Sequence, residues 1–187
     1  LMLGRYVTGQ PVDRRWQEIE AVSPALLQSV VMSEDGQFCR HRGIDWGELN
    51  ADIENALEGE KTRGASTLTM QTVKNLFLWP GRSYIRKVIE LPLAVWFDYV
   101  VPKKRIFEIY LNIAEWDKGV FGIEAASRKY FRKSSKKLSR RQSALLAVTL
   151  PNPVRRNAAK PTKRMNRVAR IVERRALKSG AYVKCLK

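Results

Sequence analysis

The chain has 187 residues, of which 44% are hydrophobic and 28% are charged, so it is long enough for one well-packed domain and is not a disordered polymer. Its net charge of +17 is uneven, because residues 101–187 hold 24 basic and only 5 acidic side chains. A one-sided positive field of this size indicates an anionic partner, either nucleic acid or a phospholipid surface; the alternative is a well-solvated surface without such a partner.

Helix signals dominate the chain in order. Ser23 followed by Pro24 predicts a helix start, and the helix should reach Ser33. An irregular stretch is expected over 34–45 and a polar loop over 60–64. A capping box at Ser139 and Gln142 predicts a helix that ends at Pro151. Further helices are expected at 46–58, 66–78, 84–99, 103–115, 122–131 and 161–178. Strand signals are weak and leave a small hairpin open. The predicted fold class is mainly α.

No run of apolar residues approaches the 18 needed to cross a bilayer, so no transmembrane helix is predicted within these residues. Because the chain begins with Leu1, we expect it to be part of a longer protein with a preceding membrane anchor. Two cysteines, Cys39 and Cys185, make no disulfide framework, and their pairing stays open. A single histidine excludes a zinc site built on several histidines.

The first candidate site is the acid pair Glu34-Asp35, which should follow directly on the first helix. The C-terminal end of a helix disfavours negative charge, and nearby burial would do the same, so a carboxyl pKa here is expected to rise. A raised pKa suits a general base that works near neutral pH. The alternative is an ordinary polar loop after a helix.

The second candidate site runs from Gly64 to Asn75. Ser66 and Thr67 can cap the helix that follows, and Thr67, Gln71, Lys74 and Asn75 should share one helical face. We expect uncapped N–H groups, hydroxyls and a lysine to form an anion cradle there, with Met70, Val73, Leu76 and Phe77 on the other side of the helix. The alternative is a capped amphipathic helix with a solvated polar face.

The third candidate site is a set of three cations beside an acid, formed by Arg82, Arg86, Lys87 and Glu90. An exposed i, i+4 ion pair would explain Arg86 and Glu90 without any function. The apolar run that follows, however, places Glu90 at the edge of a core, and Pro92 should bend the helix. A carboxylate at a buried edge beside cations is typical of a functional site.

These residues fall in a spaced order that resembles the peptidoglycan glycosyltransferases, the family that polymerises lipid II. Five ordered segments carry the resemblance over roughly residues 23–153, and a basic helix near 161–178 follows within the same single domain of 1–187. The five segments are Glu34-Asp35 with Phe38, His41 and Gly43; Gly64 to Asn75; Arg86-Lys87 with Glu90; Lys104 to Asn112; and Gly119 to Ala126 with Tyr130-Phe131.

The resemblance implies a lysozyme-like helical fold with a small membrane-proximal lobe. Glu34 would be the base that deprotonates the 4-hydroxyl of the acceptor sugar, and Glu90 would support the donor side. Residues expected to bind the donor and its pyrophosphate are Ser66, Thr67, Gln71, Lys74, Asn75, Arg82, Arg86 and Lys87. Residues expected to shape the motifs are Asp35, Phe38, His41, Gly43, Gly64 and Asn112.

The resemblance also implies partners and a place. These are lipid II, the growing lipid-linked glycan, an anionic membrane surface at the periplasmic face of the bacterial inner membrane, and other proteins of cell-wall synthesis, with no nucleic acid. No cofactor is required from sequence, although Mg²⁺ or Mn²⁺ could share the donor pyrophosphate. Three positions depart from the family pattern: Met70 replaces a usual glutamine, Gln37 a frequent arginine, and Cys39 an aromatic or polar residue.

Two other functional classes remain open at this point. A muramidase-like hydrolase would use the same acids, whereas a helical nucleic-acid-binding module would use the basic residues over 128–141. Basic side chains next to a lipid headgroup explain that region equally well, and Tyr130 and Phe131 fit a helix core or the fifth motif rather than base stacking. The cations beside Glu90 favour a phosphate leaving group over glycoside hydrolysis, because a pyrophosphate needs no general acid to leave.

Overall fold

The computed structural model describes residues 5, 7–60, 64–79, 81 and 83–186. Within these residues it contains eight α-helices and a three-stranded sheet, which confirms the mainly α class. The helices are α1 (Pro24–Glu34), α2 (Trp46–Leu57), α3 (Leu68–Phe77), α4 (Tyr84–Val100), α5 (Lys103–Ile113), α6 (Ile123–Phe131), α7 (Arg140–Ala147) and α8 (Lys163–Leu177). The strands are β1 (Asp13–Arg14), β2 (Glu115–Asp117) and β3 (Val120–Phe121).

The helix starts follow the predicted capping signals with one exception. Ser139 and Gln142 form the expected capping box at the start of α7. Ser23 does not cap α1, because its hydroxyl instead donates to the backbone oxygen of Leu138, and Pro24 alone marks the start. Two helix ends come earlier than expected, since the chain turns at Ala114 into β2 and becomes a series of turns after Ala147.

The small sheet settles the question of a hairpin. β2 and β3 pair antiparallel, and β1, from much earlier in the chain, pairs parallel with β3. The side chain of Asn112 holds this N-terminal segment in place, because its oxygen accepts the backbone N–H of Gln17 at 2.7 Å and its nitrogen donates to the backbone oxygen of Gln17 at 2.9 Å. Asn112 therefore shapes the fold at the end of α5, as expected.

Two helical groups make the core. α1, α7 and α8 pack on one another, and α3 packs against both α4 and α5. Phe38, from the loop after α1, is fully buried against the ring of Phe107 in α5, so it fixes this loop to the core as predicted. α2 contributes no buried residue.

Several apolar side chains of α3 and α4 lie at the surface. Of the residues on the apolar side of α3, Met70 and Val73 are fully buried, whereas Leu76 and Phe77 are 37% and 55% exposed. α4 runs through Pro92 as one continuous helix. It buries Glu90, Ala94 and Phe97 and leaves open a large apolar face, formed by Tyr84, Ile85, Val88, Ile89, Val95, Trp96, Tyr99 and Val100.

Across the described ranges, none of the helices combines the length and the apolar character needed to cross a bilayer. The pairing of the cysteines, left open by sequence, is resolved: Cys39 and Cys185 form a disulfide across a sequence separation of 146. The bond ties the last residues of the chain to the loop that follows Glu34.

Candidate active site

Glu34 is the last residue of α1 and Asp35 caps its C-terminal end, where the sequence placed them. Burial raises the pKa of Glu34 to about 6, and the opposing hydrogen bonds from Gln71 and Ser33 are too weak to reverse this. The pKa therefore rises as predicted, with burial as its main cause. A carboxylate with this pKa is largely ionised at pH 7 and can still accept a proton in a reaction.

Asp35 connects the first and second candidate sites and is buried. One carboxylate oxygen accepts the backbone N–H of Leu68, the first residue of α3, at 2.9 Å. Both oxygens lie 3.0 Å from Nε2 of His41, whose ring is also buried. Asp35 and His41 thus hold the loop against the start of α3, which is the shaping role expected for both.

The expectation of an uncapped anion cradle at the start of α3 was wrong. The N–H of Leu68 is bound by Asp35, and the N–H of Met70 is bound by Oγ1 of Thr67. Thr67 is also buried, and its hydroxyl donates to the backbone oxygen of Gly43 at 2.5 Å. Its hydrogen bonds are therefore used within the protein, so Thr67 caps α3 and does not line an open groove.

Two glycines allow this close assembly. Gly43 has φ +82°, and a Cβ there would lie 2.5 Å from the backbone oxygen of Ala94 in α4, so only glycine lets the loop approach this helix. Gly64 has φ +86° and its N–H donates to the side chain of Asp52 in α2. Gly64 therefore supplies a turn, whereas Gly43 supplies a close contact.

Gln71 lies at the centre of the site. Its Nε2 donates to Oε2 of Glu34 at 3.4 Å and to the backbone oxygen of Ser66 at 3.3 Å. Its Oε1 accepts from the hydroxyl of Tyr110 at 3.2 Å. From sequence, Tyr110 belongs only to the segment from Lys104 to Asn112 and has no role at the site; the available signal was its hydroxyl, which needs a partner when a tyrosine is buried.

Glu90 is almost fully buried and is held by two cations. Nη1 of Arg86 lies 2.9 Å from one of its oxygens, and Nζ of Lys87 lies 3.1 Å from the other. The same Nζ donates to the hydroxyl of Ser66 at 3.1 Å. The simple surface ion pair considered above is excluded, because only 3% of the Glu90 side chain is exposed.

Lys74 completes the connection between the two acids. Burial lowers its pKa, and the charges that act on it are Glu90, Arg86, Lys87 and Glu34. Together with the hydrogen-bonded series Glu34–Gln71–Ser66–Lys87–Glu90, this places both carboxylates and three cations in one crevice. Asn75 follows on the same helix and is half-buried. Arg82 lies outside the described residues.

The donor set of this crevice does not fit a resident metal ion. Both oxygens of Glu90 already bind cations, and Glu34 is the other carboxylate beside them. Among the described residues, the acids whose oxygens converge are Glu18, Glu20 and Glu108. Glu108 accepts the backbone N–H of Ile19 and pairs with Arg105, while Glu20 pairs with Lys104, so these acids already have partners within the protein.

Comparison with known proteins agrees with this arrangement. A family model described as "Transglycosylase" matches residues 2–176. A biosynthetic peptidoglycan transglycosylase of Mesorhizobium japonicum is 62% identical over 187 residues, which are all of this chain and 79% of the relative. Relatives of the same name from Brucella suis and Rhizobium meliloti are 59% and 58% identical; they match the whole chain, which covers 84% and 79% of their lengths. The chain therefore belongs to the transglycosylase family.

Proposed function

We propose that this protein is a peptidoglycan glycosyltransferase that polymerises lipid II into β-1,4-linked glycan strands, with inversion at the sugar carbon and release of undecaprenyl pyrophosphate. Membership of the transglycosylase family supports the class of reaction. The observation that carries the proposal is the crevice itself, in which a carboxyl of pKa about 6 lies near a second carboxylate held by cations.

Glu34 acts as the general base. It takes the proton from the 4-hydroxyl of the acceptor sugar while that oxygen attacks C1 of the donor, and the bond from C1 to the pyrophosphate breaks. Gln71 donates a hydrogen bond to Glu34 and is itself held by Tyr110, so the base keeps one orientation. General bases of this kind contribute about 10²- to 10⁴-fold to a rate.

Lys74, Arg86 and Lys87 bind the pyrophosphate as negative charge develops on it. Glu90 fixes Arg86 and Lys87 in position, and its own negative charge stabilises the positive charge that develops at C1. Cations that are already oriented in a partly buried crevice lower a barrier by about 3 kcal/mol each. Ser66 is hydrogen-bonded to both Lys87 and Gln71, so it fixes the position of Lys87 relative to the base.

No resident metal enters this mechanism. We propose that a Mg²⁺ or Mn²⁺ ion, where one takes part, is held chiefly by the oxygens of the pyrophosphate, because the carboxylate of Glu90 is already bound by cations. Such an ion would neutralise charge on the leaving group. Chelation is then expected to alter substrate binding and to leave the thermal stability of the free protein unchanged.

We further propose that the protein works at the outer face of the bacterial inner membrane. Disulfides such as Cys39–Cys185 persist in oxidising compartments outside the cytoplasm. The exposed apolar side chains of α4, such as Tyr84 and Ile85, suit contact with the hydrocarbon of a bilayer, and the excess of basic residues suits anionic headgroups. The apolar side chains and the basic residues both support a reaction whose substrates are anchored in lipid.

The test is polymerisation of labelled lipid II, resolved as a ladder on a gel. Wild-type protein should give strands and free undecaprenyl pyrophosphate. Released muropeptides from purified cell walls, without strand synthesis, would instead establish the hydrolase. Tight, strongly salt-dependent retention of DNA on filters, with no lipid II turnover, would establish the nucleic-acid-binding module.

A further inference from the structure

A second cavity adjoins Glu34 and is separate from the cationic side of the crevice. It has a volume of about 560 Å³, and its walls include Glu34, Glu48, Gly64, Arg175, Lys178 and Tyr182. Lys74, Arg86, Lys87 and Glu90 do not line it. Glu34 therefore borders a cavity that reaches the end of α8, and it is connected to the cations on its other side through Gln71 and Ser66.

Two cations of this cavity form no ion pair with any acid among the described residues. Arg175 lies in the last turn of α8 and Lys178 caps the helix, and both are exposed. Within the described part of the chain, neither forms an ion pair. Glu173, which also lies in α8, pairs instead with Arg141 of α7. Cations at a helix C-terminus are favoured by the helix dipole, but that effect does not explain why these two face the cavity of the base.

The wall that carries these cations is tied to the catalytic loop. The disulfide joins Cys185 to Cys39, three residues after Tyr182 and five after Glu34 respectively. The guanidinium of Arg40 also lies over the ring of Tyr182, 5.1 Å from its centre. The position of the C-terminal segment is thus fixed relative to Glu34 by a covalent bond, as a binding surface requires.

We propose that this cavity is a subsite for the peptide carried by a muramyl sugar, with Arg175 and Lys178 binding its carboxylates while the sugar chain lies beside Glu34. The inference rests on the proposed function. Peptidoglycan precursors carry a peptide with free carboxylates, which matches two unpaired cations. Sugar hydroxyls and peptide N–H groups match the carboxylate of Glu48 on another wall.

The test compares two charge-matched double variants on two substrates. Arg175→Ala with Lys178→Ala removes the proposed contacts, and Arg170→Ala with Arg174→Ala removes two exposed cations of the same helix that do not line the cavity. Each substrate is a lipid-linked disaccharide diphosphate, one with and one without the peptide. Exposed ionic contacts are each worth about 1.4- to 5-fold, so KM for the peptide-bearing substrate should rise roughly 3- to 10-fold with kcat retained.

The same variant should show no change in KM for the peptide-free substrate, and the control double variant should match wild type on both. Pairing a peptide-bearing donor strand with a peptide-free acceptor, and the reverse, assigns the contact to one of the two. An equal rise in KM on both substrates, an equal rise in the control, or no rise at all would overturn the subsite. Failure of the wild type to polymerise either substrate would instead refute the proposed function.

Discussion

Glu34 and Glu90 are two carboxylates of one crevice that the protein treats in opposite ways. Glu34 receives only weak hydrogen bonds from Gln71 and Ser33, so burial is not offset and its pKa rises to about 6. Glu90 is still more buried, yet each of its oxygens bonds a cation. The environment of the first raises a carboxyl pKa and favours proton uptake, whereas the second carboxylate positions two cations.

The largest effect is expected from removing the base. Glu34→Gln should lower the rate of polymerisation about 10³-fold, because a glutamine cannot take the proton from the attacking hydroxyl. The hydrogen bond from Gln71 can still be accepted, so the fold should persist. The labelled lipid II assay measures the rate, and near-normal activity would remove Glu34 from its role as base.

The cationic side is tested next by Lys74→Ala. This lysine is partly buried beside both acids, so its loss should cost about 10²-fold in kcat without abolishing the reaction. Lys136→Ala, an exposed lysine in the basic region, serves as the control and should change little. If Lys74→Ala keeps the wild-type rate, the pyrophosphate is bound elsewhere.

The positions of the two acids could be predicted from sequence, whereas some of the contacts around them could not. Helical periodicity and capping residues are local, so the helices that carry Glu34 and Glu90 were placed within a few residues. The hydrogen bond from the N–H of Leu68 to Asp35 joins residues far apart in sequence. No local sequence pattern predicts that Asp35 occupies the N–H group expected to bind an anion.

The same limit applies to other features of the site. Tyr110 lies within one of the predicted motif segments, but its contact with Gln71 depends on the packing of α3 against α5. Leu76 and Phe77 follow the apolar side of their helix, yet they are 37% and 55% exposed, even though the ring of Phe77 packs on that of Phe97 in α4. Arg175 and Lys178 were predicted only as part of a basic helix, because the cavity they line exists only after α8 packs on α1.

A smaller expected effect concerns stability and gives Glu90 its sharpest test. Glu90→Gln should destabilise the protein by about 3 kcal/mol, because Arg86 and Lys87 lose the carboxylate that compensates their partial burial. Glu124→Gln is the matched control, since Glu124 is a buried acid paired with Arg128 away from the crevice. Both variants should unfold at a lower denaturant concentration than wild type, but only Glu90→Gln should also reduce turnover. Equal turnover in the two would make Glu90 purely structural.

The opposite sign is expected for the stability of Glu34→Gln. A carboxyl whose folded pKa of about 6 exceeds its ordinary value of 4.5 favours folding while protonated, and that contribution is lost as pH rises from 4.5 through 6. The loss is about 2 kcal/mol. Glu34→Gln cannot ionise, so in denaturant titrations it should be more stable than wild type at pH 7.5 and about equal at pH 4. If Glu34→Gln is no more stable than wild type at pH 7.5, the protein stabilises ionised Glu34 better than its weak hydrogen bonds indicate.

The smallest effect is the dependence of the rate on pH. Because the base must be ionised, kcat/KM for lipid II should fall about tenfold for each pH unit below 6 and level off above it. The charges of Lys74 and Glu34 attract each other, so Lys74 lowers the pKa of Glu34. The midpoint should therefore move upward in Lys74→Ala, whereas in Lys136→Ala it should stay in place. A midpoint that does not respond to Lys74 would mean that the titrating group lies outside this crevice, and the division of roles between Glu34 and Glu90 would have to be redrawn.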